Sequence, residues 1–171
     1  MEGNIAYLEH SWNGVLILKE KSFLDNTFGK PSVYFPLCYF ILCGIREITI
    51  VCREEIKALV KFQVGNGSKW GLSIAYCDDV SEVEMGSTMV IWGTPFLFGI
   101  NLTRYFQRAI SKKNKNVIMT IPYNLSNERI KVSIDEKNCI QKVKKGGNGD
   151  DIVPIMCKRS MRHRMVSYMN L

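Results

Sequence analysis

Residues 47–76 have the sequence EITIVCREEIKALVKFQVGNGSKWGLSIAY, and their pattern is the strongest indication of the fold class. Its first six residues, 47–52, are a nearly continuous apolar and β-branched run, which is typical of a strand buried on both faces, as parallel strands are. Residues 70–76 are strand-like again. Between the two strands, residues 53–64 predict a helix, because apolar residues recur at helical spacing: Ile56, Leu59, Val60 and Val64. A strand, a helix and a second strand with short connections predict a βαβ unit in a layered α/β domain.

A second helix is predicted just upstream, over residues 33–43, where apolar residues recur at spacings of three and four. Pro36 lies near its first turn, where proline is tolerated, and Gly44 suits a left-handed helix end. The start of this helix has two interpretations: Ser32 caps it, or Pro31 occupies its first turn.

The first thirty residues predict a hairpin. Residues 4–9 and 15–20 are strand-like, and Asn13-Gly14 between them is a strong turn signal. We expect a loop over residues 22–29.

The downstream half is strand-rich. It contains a strand-like run at 88–92 and a short helix at 103–111, and further strands are predicted at 116–122, 130–134, 139–143 and 152–157. Residues 78–84 are predicted as an acidic loop and 144–151 as a glycine-rich loop. Neither an internal repeat nor a long linker divides the chain, so we expect one domain over residues 1–171.

Composition excludes several classes of protein. The 171 residues are 46% hydrophobic and 23% charged, as in globular proteins and unlike disordered, collagen-like or coiled-coil chains. The longest apolar run, residues 33–43, is interrupted by Pro36 and is too short to cross a bilayer. The N-terminus lacks the pattern of a secretory signal. We therefore expect a cytoplasmic protein with no membrane partner.

The cysteines and histidines give no metal signature. Six cysteines occur without C-x-x-C spacing, and the two histidines, His10 and His163, are far apart in sequence. Buried free thiols are the better interpretation.

Three segments carry a family resemblance. Residues 30–37 (KPSVYFPL), 42–50 (LCGIREITI) and 64–72 (VGNGSKWGL) resemble the KPMIxYPL helix, the AGIRxIxI strand entry and the GDGSxWGL loop of the sugar-1-phosphate nucleotidyltransferases. Glucose-1-phosphate thymidylyltransferase is the most similar branch. Further on, residues 93–99 (GTPFLFG) are similar to the family segment GDNIFYG.

The resemblance implies a fold and a reaction. The fold is a Rossmann-like layered α/β/α nucleotidyltransferase core with a mostly parallel sheet, truncated here relative to the longer family chain. In the family reaction, a sugar-1-phosphate attacks the α-phosphate of a nucleoside triphosphate, and pyrophosphate leaves. Such catalysis needs backbone N–H groups around the phosphates, a Mg²⁺ ion and cationic side chains.

The family residues that perform this chemistry are altered here. The glycine-rich GGxGTR loop corresponds to residues 7–14, which contain one glycine and no arginine. Thr94 occupies the position of the family aspartate that binds Mg²⁺, and a hydroxyl does not supply the charge that this hard cation prefers. The base-recognition segment QPxPxGLA is replaced by residues 77–84, whose four carboxylates would repel a nucleotide.

A few charged residues are candidates for a remaining site. Lys21, near the lysine of the family's SKxLLP, and Lys145, at the lysine of its EKP, are the candidate catalytic cations. Together with Asp79 they are also the candidates for nucleotide or sugar binding. Asp78 and Asp79 are the candidate Mg²⁺ ligands if the protein is active. The competing interpretation is a solvated surface lysine for Lys21 and a solvated acidic loop for the aspartates.

These observations lead to three functional hypotheses. The first is a catalytically inactive nucleotidyltransferase-like protein that binds a nucleotide-sugar related ligand or a partner protein. The second is an active nucleotidyltransferase with rearranged metal ligands. The third is a nucleic-acid-binding module that uses the basic C-terminal segment, since residues 137–171 carry eight Lys and Arg against Asp150 and Asp151.

The expected partners follow from these hypotheses. A solvated, flexible tail over residues 158–171 is the better interpretation of the basic segment, and nucleic acid is not an expected partner, because no nucleic-acid fold signature is present. The family forms oligomers, and lost covering segments would expose apolar surface. We therefore expect a homodimer or a complex with a full-length relative.

Overall fold

The structure, a computed structural model, describes residues 12–19, 21–84, 86–97, 99–112, 117–121, 130–134, 136, 140–145 and 150–158. The predicted strand over residues 4–9 and the tail after residue 158 lie outside these ranges. The helices are α1 (Tyr34–Leu42), α2 (Glu54–Val64) and α3 (Leu102–Ser111). The strands are β1 (Asn13–Leu18), β2 (Asn26–Thr27), β3 (Lys30–Pro31), β4 (Glu47–Cys52), β5 (Ser73–Cys77), β6 (Thr88–Trp92), β7 (Val117–Ile121), β8 (Ile130–Ile134), β9 (Ile140–Lys145) and β10 (Asp150–Lys158).

Eight of the strands form one sheet in the order β5-β4-β1-β6-β10-β8-β9, and β7 also pairs with β10. The first four strands of this order are mutually parallel. β10 joins them in antiparallel fashion through β6, and β7 and β8 pair with it in the same sense. The four parallel strands and their helical crossovers confirm the predicted α/β core. Among the described helices, none has both the length and the apolar character needed to cross a bilayer.

The parallel strands are covered on both faces. Leu16 and Leu18 of β1 belong to the large core cluster that includes buried residues of all three helices. Val15 and Ile17, which point to the opposite face, cluster with Val51 and Val90 of the neighbouring strands. This alternation explains why β1, β4 and β6 have continuous apolar sequences.

α1 ends as its glycine predicts. Gly44 has a φ of +77°, and its N–H donates to the carbonyl of Ile41, while the N–H of the buried Ile45 donates to the carbonyl of Phe40. These two bonds form a Schellman motif, which satisfies the last carbonyls of the helix.

The start of α1 differs from both interpretations of the sequence. The helix begins at Tyr34 after the N-cap residue Val33, which makes no side-chain cap. Pro31 belongs to β3, and the hydroxyl of Ser32 donates to the carbonyl of Ser22 at 2.7 Å. Ser32 is buried, so its hydroxyl forms this bond with the preceding turn rather than with the helix end.

The hairpin turn predicted at Asn13-Gly14 is wrong, because both residues belong to β1. Gly14 lies opposite Ile48 of β4 on one side and Met89 of β6 on the other. A Cβ atom on Gly14 would lie 2.9 Å from ring atoms of Phe40, so the glycine allows this ring to lie directly against the strand. Burying a phenylalanine contributes about 1.5–3 kcal/mol, and this long-range contact is absent from the local Asn-Gly signal that predicted the turn.

Three further boundaries differ from the sequence predictions. Trp70 lies in a 3₁₀ turn, and the strand predicted from residue 70 begins at Ser73. Residues 22–29, predicted as a loop, include part of another 3₁₀ turn (Lys21–Leu24) and the strand β2. The loop predicted over residues 144–151 is partly strand, because β9 continues through Lys145 and β10 begins at Asp150.

One helix-face prediction also changes. Leu59 is 40% exposed, whereas Ile56, Val60 and Val64 are buried as predicted. The buried stripe of α2 is therefore narrower than its apolar sequence pattern.

We predict that Gly14→Ala lowers the free energy of unfolding by about 1–3 kcal/mol, because its methyl group meets the fully buried ring of Phe40. Urea unfolding followed by circular dichroism measures this change. Gly86→Ala is the matched control, since its added Cβ has no atom within 4 Å, and it should change stability by less than about 0.5 kcal/mol. A Gly14→Ala protein as stable as the unsubstituted chain would contradict the packing of Phe40 against β1.

Candidate functional site

The carboxyl ends of the parallel strands meet along one edge of the sheet, where ligands of open α/β sheets bind. This edge forms a cleft of about 330 Å³, here called the carboxyl-edge cleft. Ligand pockets commonly measure about 300–1,000 Å³, so the cleft suits one small ligand or part of a larger one. Its lining residues come from the ends of β1 and β4 and from the segment after β5: Ile17, Leu18, Lys19, Val51, Cys52, Arg53, Asp78, Asp79, Val80 and Ser81.

A second cleft of about 230 Å³, here called the switch-point cleft, lies between the ends of β1 and β6. The chain steps from β1 to β4 and β5 on one side, whereas β6 lies on the other side of β1. The strand order therefore reverses at this cleft, which is the usual position of a ligand in such sheets. It is lined by Ile17, Leu18, Lys19, Ser22, Trp92 and Gly93.

Two cations in these clefts were missed by the sequence analysis. Lys19 directly follows β1 and lines both clefts. Arg53 directly follows β4, lines the carboxyl-edge cleft and is the N-cap residue of α2. A usable signal was present for Arg53, because it directly follows the predicted strand over residues 47–52, and such positions lie at the ligand-binding edge. Lys19 had no such signal, because it lies inside the strand predicted over residues 15–20.

The segment after β1 is too short to hold a phosphate-binding loop of the family type. Only two residues, Lys19 and Glu20, separate the end of β1 from the 3₁₀ turn that begins at Lys21. Residues 15–28 contain no glycine. A glycine-rich loop lets backbone N–H groups surround a phosphate, and side chains at those positions prevent so close an approach.

The position of the missing loop also needs correction. The match of residues 7–14 to this loop is wrong, because Asn13 and Gly14 belong to β1 and the position that follows the strand is the short segment from Lys19 to Lys21. This turn is fixed in place, since Phe23 is fully buried and its carbonyl accepts a hydrogen bond from the N–H of Val33 at 3.1 Å.

Asp78 forms an ion pair at the carboxyl-edge cleft. Its Oδ1 lies 2.6 Å from Nζ of Lys57, and the same Nζ lies 2.7 Å from Oε2 of Glu54. The hydrogen bond with Asp78, followed by that with Glu54, raises the pKa of Lys57 above its ordinary value. The Lys57 side chain is only 13% exposed, so the charge of Asp78 is balanced by a cation held close to the cleft.

Asp79 and Glu82 form a capping box around the short 3₁₀ turn Val80–Glu82. Oδ1 of Asp79 accepts a hydrogen bond from the N–H of Ser81 at 2.7 Å, and Oε1 of Glu82 accepts one from the N–H of Asp79 at 2.9 Å. The bonds with Ser81 lower the pKa of Asp79. The acidic loop is therefore an ordered turn stabilised by its own carboxylates.

The two candidate magnesium ligands already have partners within the protein. The cleft contains Asp78 and Asp79, but one carboxylate is paired with Lys57 and the other accepts from a backbone N–H. Within the described ranges, no group of three or more His, Cys, Asp or Glu residues could hold a metal ion. Mg²⁺ prefers near-octahedral oxygen ligation, so this donor set fits it poorly. The assignment of Asp78 and Asp79 to Mg²⁺ stays a prediction.

The other candidate residues lie at different distances from the clefts. Thr94 follows Gly93, whose N–H donates to the carbonyl of Ile17 at 2.8 Å, so the threonine lies at the ligand-binding edge beside β1. Lys21 is exposed in the turn next to Ser22 of the switch-point cleft.

Lys145 is not brought together with these residues. It ends β9, which lies three strand positions from β6, or about 14 Å. Neither cleft includes it among its lining residues.

We predict that Asp79→Asn flattens the acid limb of the stability curve. The folded-state pKa of Asp79 lies below the ordinary value of 3.8, so its contribution to stability is present above that pH and is lost as the pH falls below it. Urea unfolding between about pH 5 and pH 2 should show a smaller decrease for this variant. Glu84→Gln, in the exposed end of the same loop, is the control and should keep the original slope. An unchanged slope in Asp79→Asn would contradict the capping role.

The comparisons with known proteins agree with the family resemblance. A glucose-1-phosphate thymidylyltransferase from Actinoplanes sp. is 39% identical over 72 residues, which are 42% of this chain and 23% of that protein. The enzyme of the same name from Neisseria meningitidis is 33% identical over 75 residues, covering 44% of this chain and 26% of that protein. The chain therefore matches only about a quarter of the length of these relatives. No protein-family model matches it.

Solved structures share the fold over a larger part of this chain than the sequence matches cover. A crystal structure described as a glucose-1-phosphate thymidylyltransferase from Bacillus anthracis in complex with sucrose gives a TM-score of 0.77 at 14% identity, over 87% of this chain and 72% of that chain. HddC from Yersinia pseudotuberculosis, complexed with GMP-PN, gives a TM-score of 0.63 at 13% identity, over 85% of this chain and 75% of that one. At these identities the match concerns the fold alone. By its partial sequence matches and its fold, the chain is a sugar-1-phosphate nucleotidyltransferase-like protein.

Proposed function

We propose that this chain binds a nucleotide-sugar related ligand at the carboxyl-edge cleft and does not catalyse nucleotidyl transfer. The observation that carries the proposal is the direct passage from β1 into the 3₁₀ turn at Lys21, with no glycine from residue 15 to residue 28. Without a glycine-rich loop, the backbone offers no cradle for a triphosphate at the position where the family reaction takes place.

The charges of the cleft favour the same conclusion. Two cations, Lys19 and Arg53, and two carboxylates, Asp78 and Asp79, line it, so its lining has no excess positive charge. A nucleoside triphosphate is more highly charged than the diphosphate of a nucleotide-sugar, and it binds poorly without a compensating cation. The balanced lining therefore suits the less charged ligand.

The clefts also combine cationic and apolar groups, and a nucleotide-sugar related ligand needs both. Lys19 and Arg53 supply donors for phosphate oxygens. Trp92 and Gly93 line the adjoining switch-point cleft and offer an apolar wall to a ring. Lys19 lines both clefts, so a ligand that spans them would contact it where the clefts meet.

An active enzyme with rearranged ligands is the second candidate. It is favoured by the position of Asp78 and Asp79 at the cleft, where a metal ion would have to bind. Their contacts with Lys57 and Ser81 would have to be exchanged for metal coordination.

Protein binding is the other mode that the sequence analysis left open. Phe62 is 90% exposed and Leu59 40% exposed, and their spacing of three residues on α2 makes them neighbours on the helix surface, which favours contact with another chain. The expected homodimer, or complex with a full-length relative, stays a prediction.

We predict no pyrophosphate release above background when the 171-residue chain is incubated with Mg²⁺, each common nucleoside triphosphate and a panel of sugar-1-phosphates. An intact glucose-1-phosphate thymidylyltransferase is the positive control. Mg²⁺-dependent release that is abolished by Asp79→Ala would overturn the proposal in favour of the active enzyme. Release that persists in Asp79→Ala would also overturn it, and would exclude Asp79 as the metal ligand.

A further inference from the structure

The exposed side of α3 is basic and polar along its whole length. Its exposed residues, followed by the C-cap residue Lys112, form what we call the α3 face: Thr103, Arg104, Gln107, Arg108, Ser111 and Lys112. The sequence contains no Asp or Glu between Glu84 and Glu128. The positive charge of this face is therefore not offset by any acidic residue close to α3 in the sequence.

The cations of the α3 face are regularly spaced. Arg104 and Arg108 are one turn apart, which corresponds to a rise of about 6 Å along the helix, and Lys112 follows at the same interval in sequence. The hydroxyl of Thr103 donates to the carbonyl of Leu42, at the end of α1. The Arg46 side chain donates to the adjacent carbonyl of Ile41, which adds a fourth cation at this end of α3.

These cations have no acidic partners in the part of the chain that the structure describes. The ion pairs of Lys57 with Glu54 and Asp78 involve none of these cations. A cationic surface without carboxylate partners attracts polyanions, and the attraction decreases as salt screens it.

The apolar side of α3 is buried within the protein. Leu102, Phe106 and Ala109 are buried in the main core cluster, and the rings of Phe106 and Trp12 lie 5.2 Å apart, edge to face. The half-buried Tyr105 and Ile110 also pack against this cluster. A helix that inserts into a membrane surface needs an exposed apolar face, and protein interfaces depend on buried apolar anchors. The α3 face offers neither.

We propose that the α3 face binds the phosphate backbone of a nucleic acid without sequence specificity. Arg, Lys, Ser, Thr and Gln are the side chains that contact phosphate and sugar oxygens, and they account for every residue of the face. The face lies beside the end of α1, just before β4 begins, whereas the clefts lie at the opposite, carboxyl edge of the sheet. Binding here is therefore independent of the proposed function.

The test compares two variants with equal changes in net charge. Arg104→Gln/Arg108→Gln neutralises the α3 face, and glutamine keeps a similar helix propensity. Lys30→Gln/Lys69→Gln neutralises two exposed lysines elsewhere and is the matched control. Fluorescence anisotropy with labelled single-stranded oligouridylate, and with the matching DNA, measures binding by the full chain over a range of salt concentrations. Circular dichroism establishes that both variants are folded.

The α3 variant should bind at least about tenfold more weakly at low salt than the control variant. The slope of log K against log salt should become shallower by about 1.4, which is 0.7 for each lost phosphate contact. If the double variant fails to fold, Lys112→Gln at the C-cap should change the slope by about 0.7.

Equal binding by the two double variants would overturn the proposal, because the affinity would then reside elsewhere in the chain. Binding of polyglutamate or of phosphatidylserine vesicles that equals RNA binding and depends equally on Arg104 and Arg108 would also overturn it. Those results would assign the face to an acidic protein or to a lipid surface.

Discussion

β1 is held between two parallel neighbours, β4 and β6, and the ring of Phe40 lies directly against its backbone at Gly14. The rest of the structure depends on this arrangement. It places Leu16 and Leu18 against the helices and Val15 and Ile17 on the other face, so both faces of the parallel strands are buried. It also aligns the ends of β1, β4 and β6 at one edge, and this edge forms both clefts.

The arrangement around β1 keeps the fold of the family but lacks the chemical groups that the family reaction needs. A nucleotidyltransferase-like fold needs the central strand and its neighbours, and these are present. A triphosphate site needs, in addition, a flexible glycine-rich connection after that strand, and here Leu18 leads within two residues to a turn fixed by the buried Phe23. The two carboxylates at the cleft are engaged in structural contacts, with Asp78 bound to Lys57 and Asp79 capping a turn. The ligand-binding edge therefore keeps its position while its chemical groups differ from those of the family.

The sequence predicted correctly those elements whose local residue pattern matches the burial of their side chains in the structure. The limits of β4 and β6 were predicted to the residue, and α2 and the end of α1 at Gly44 were located correctly, because apolar periodicity and glycine caps are local signals. The Asn13-Gly14 turn failed because a contact with Phe40, distant in sequence, outweighs a local preference. Lys19 was missed because the predicted strand continued to residue 20, whereas β1 ends at Leu18. Arg53 follows a predicted strand, but which of such positions line a cleft depends on strand order, which a single sequence does not show. The contacts of Asp78 with Lys57 depend likewise on the packing of β5 beside β4.

The most direct test of the account is a titration of the ¹⁵N-labelled 171-residue chain with dTDP-glucose, followed by NMR amide shifts, first with EDTA and then with Mg²⁺. Metal-free binding at the clefts predicts shifts at the amides of four lining residues, with no dependence on Mg²⁺: Lys19, Arg53, Ser81 and Gly93. The amides of α3, whose start lies beside the end of α1 and away from the carboxyl edge of the sheet, should not shift. An absence of shifts at the clefts, or shifts that require Mg²⁺, would contradict metal-free binding at the carboxyl edge of the sheet.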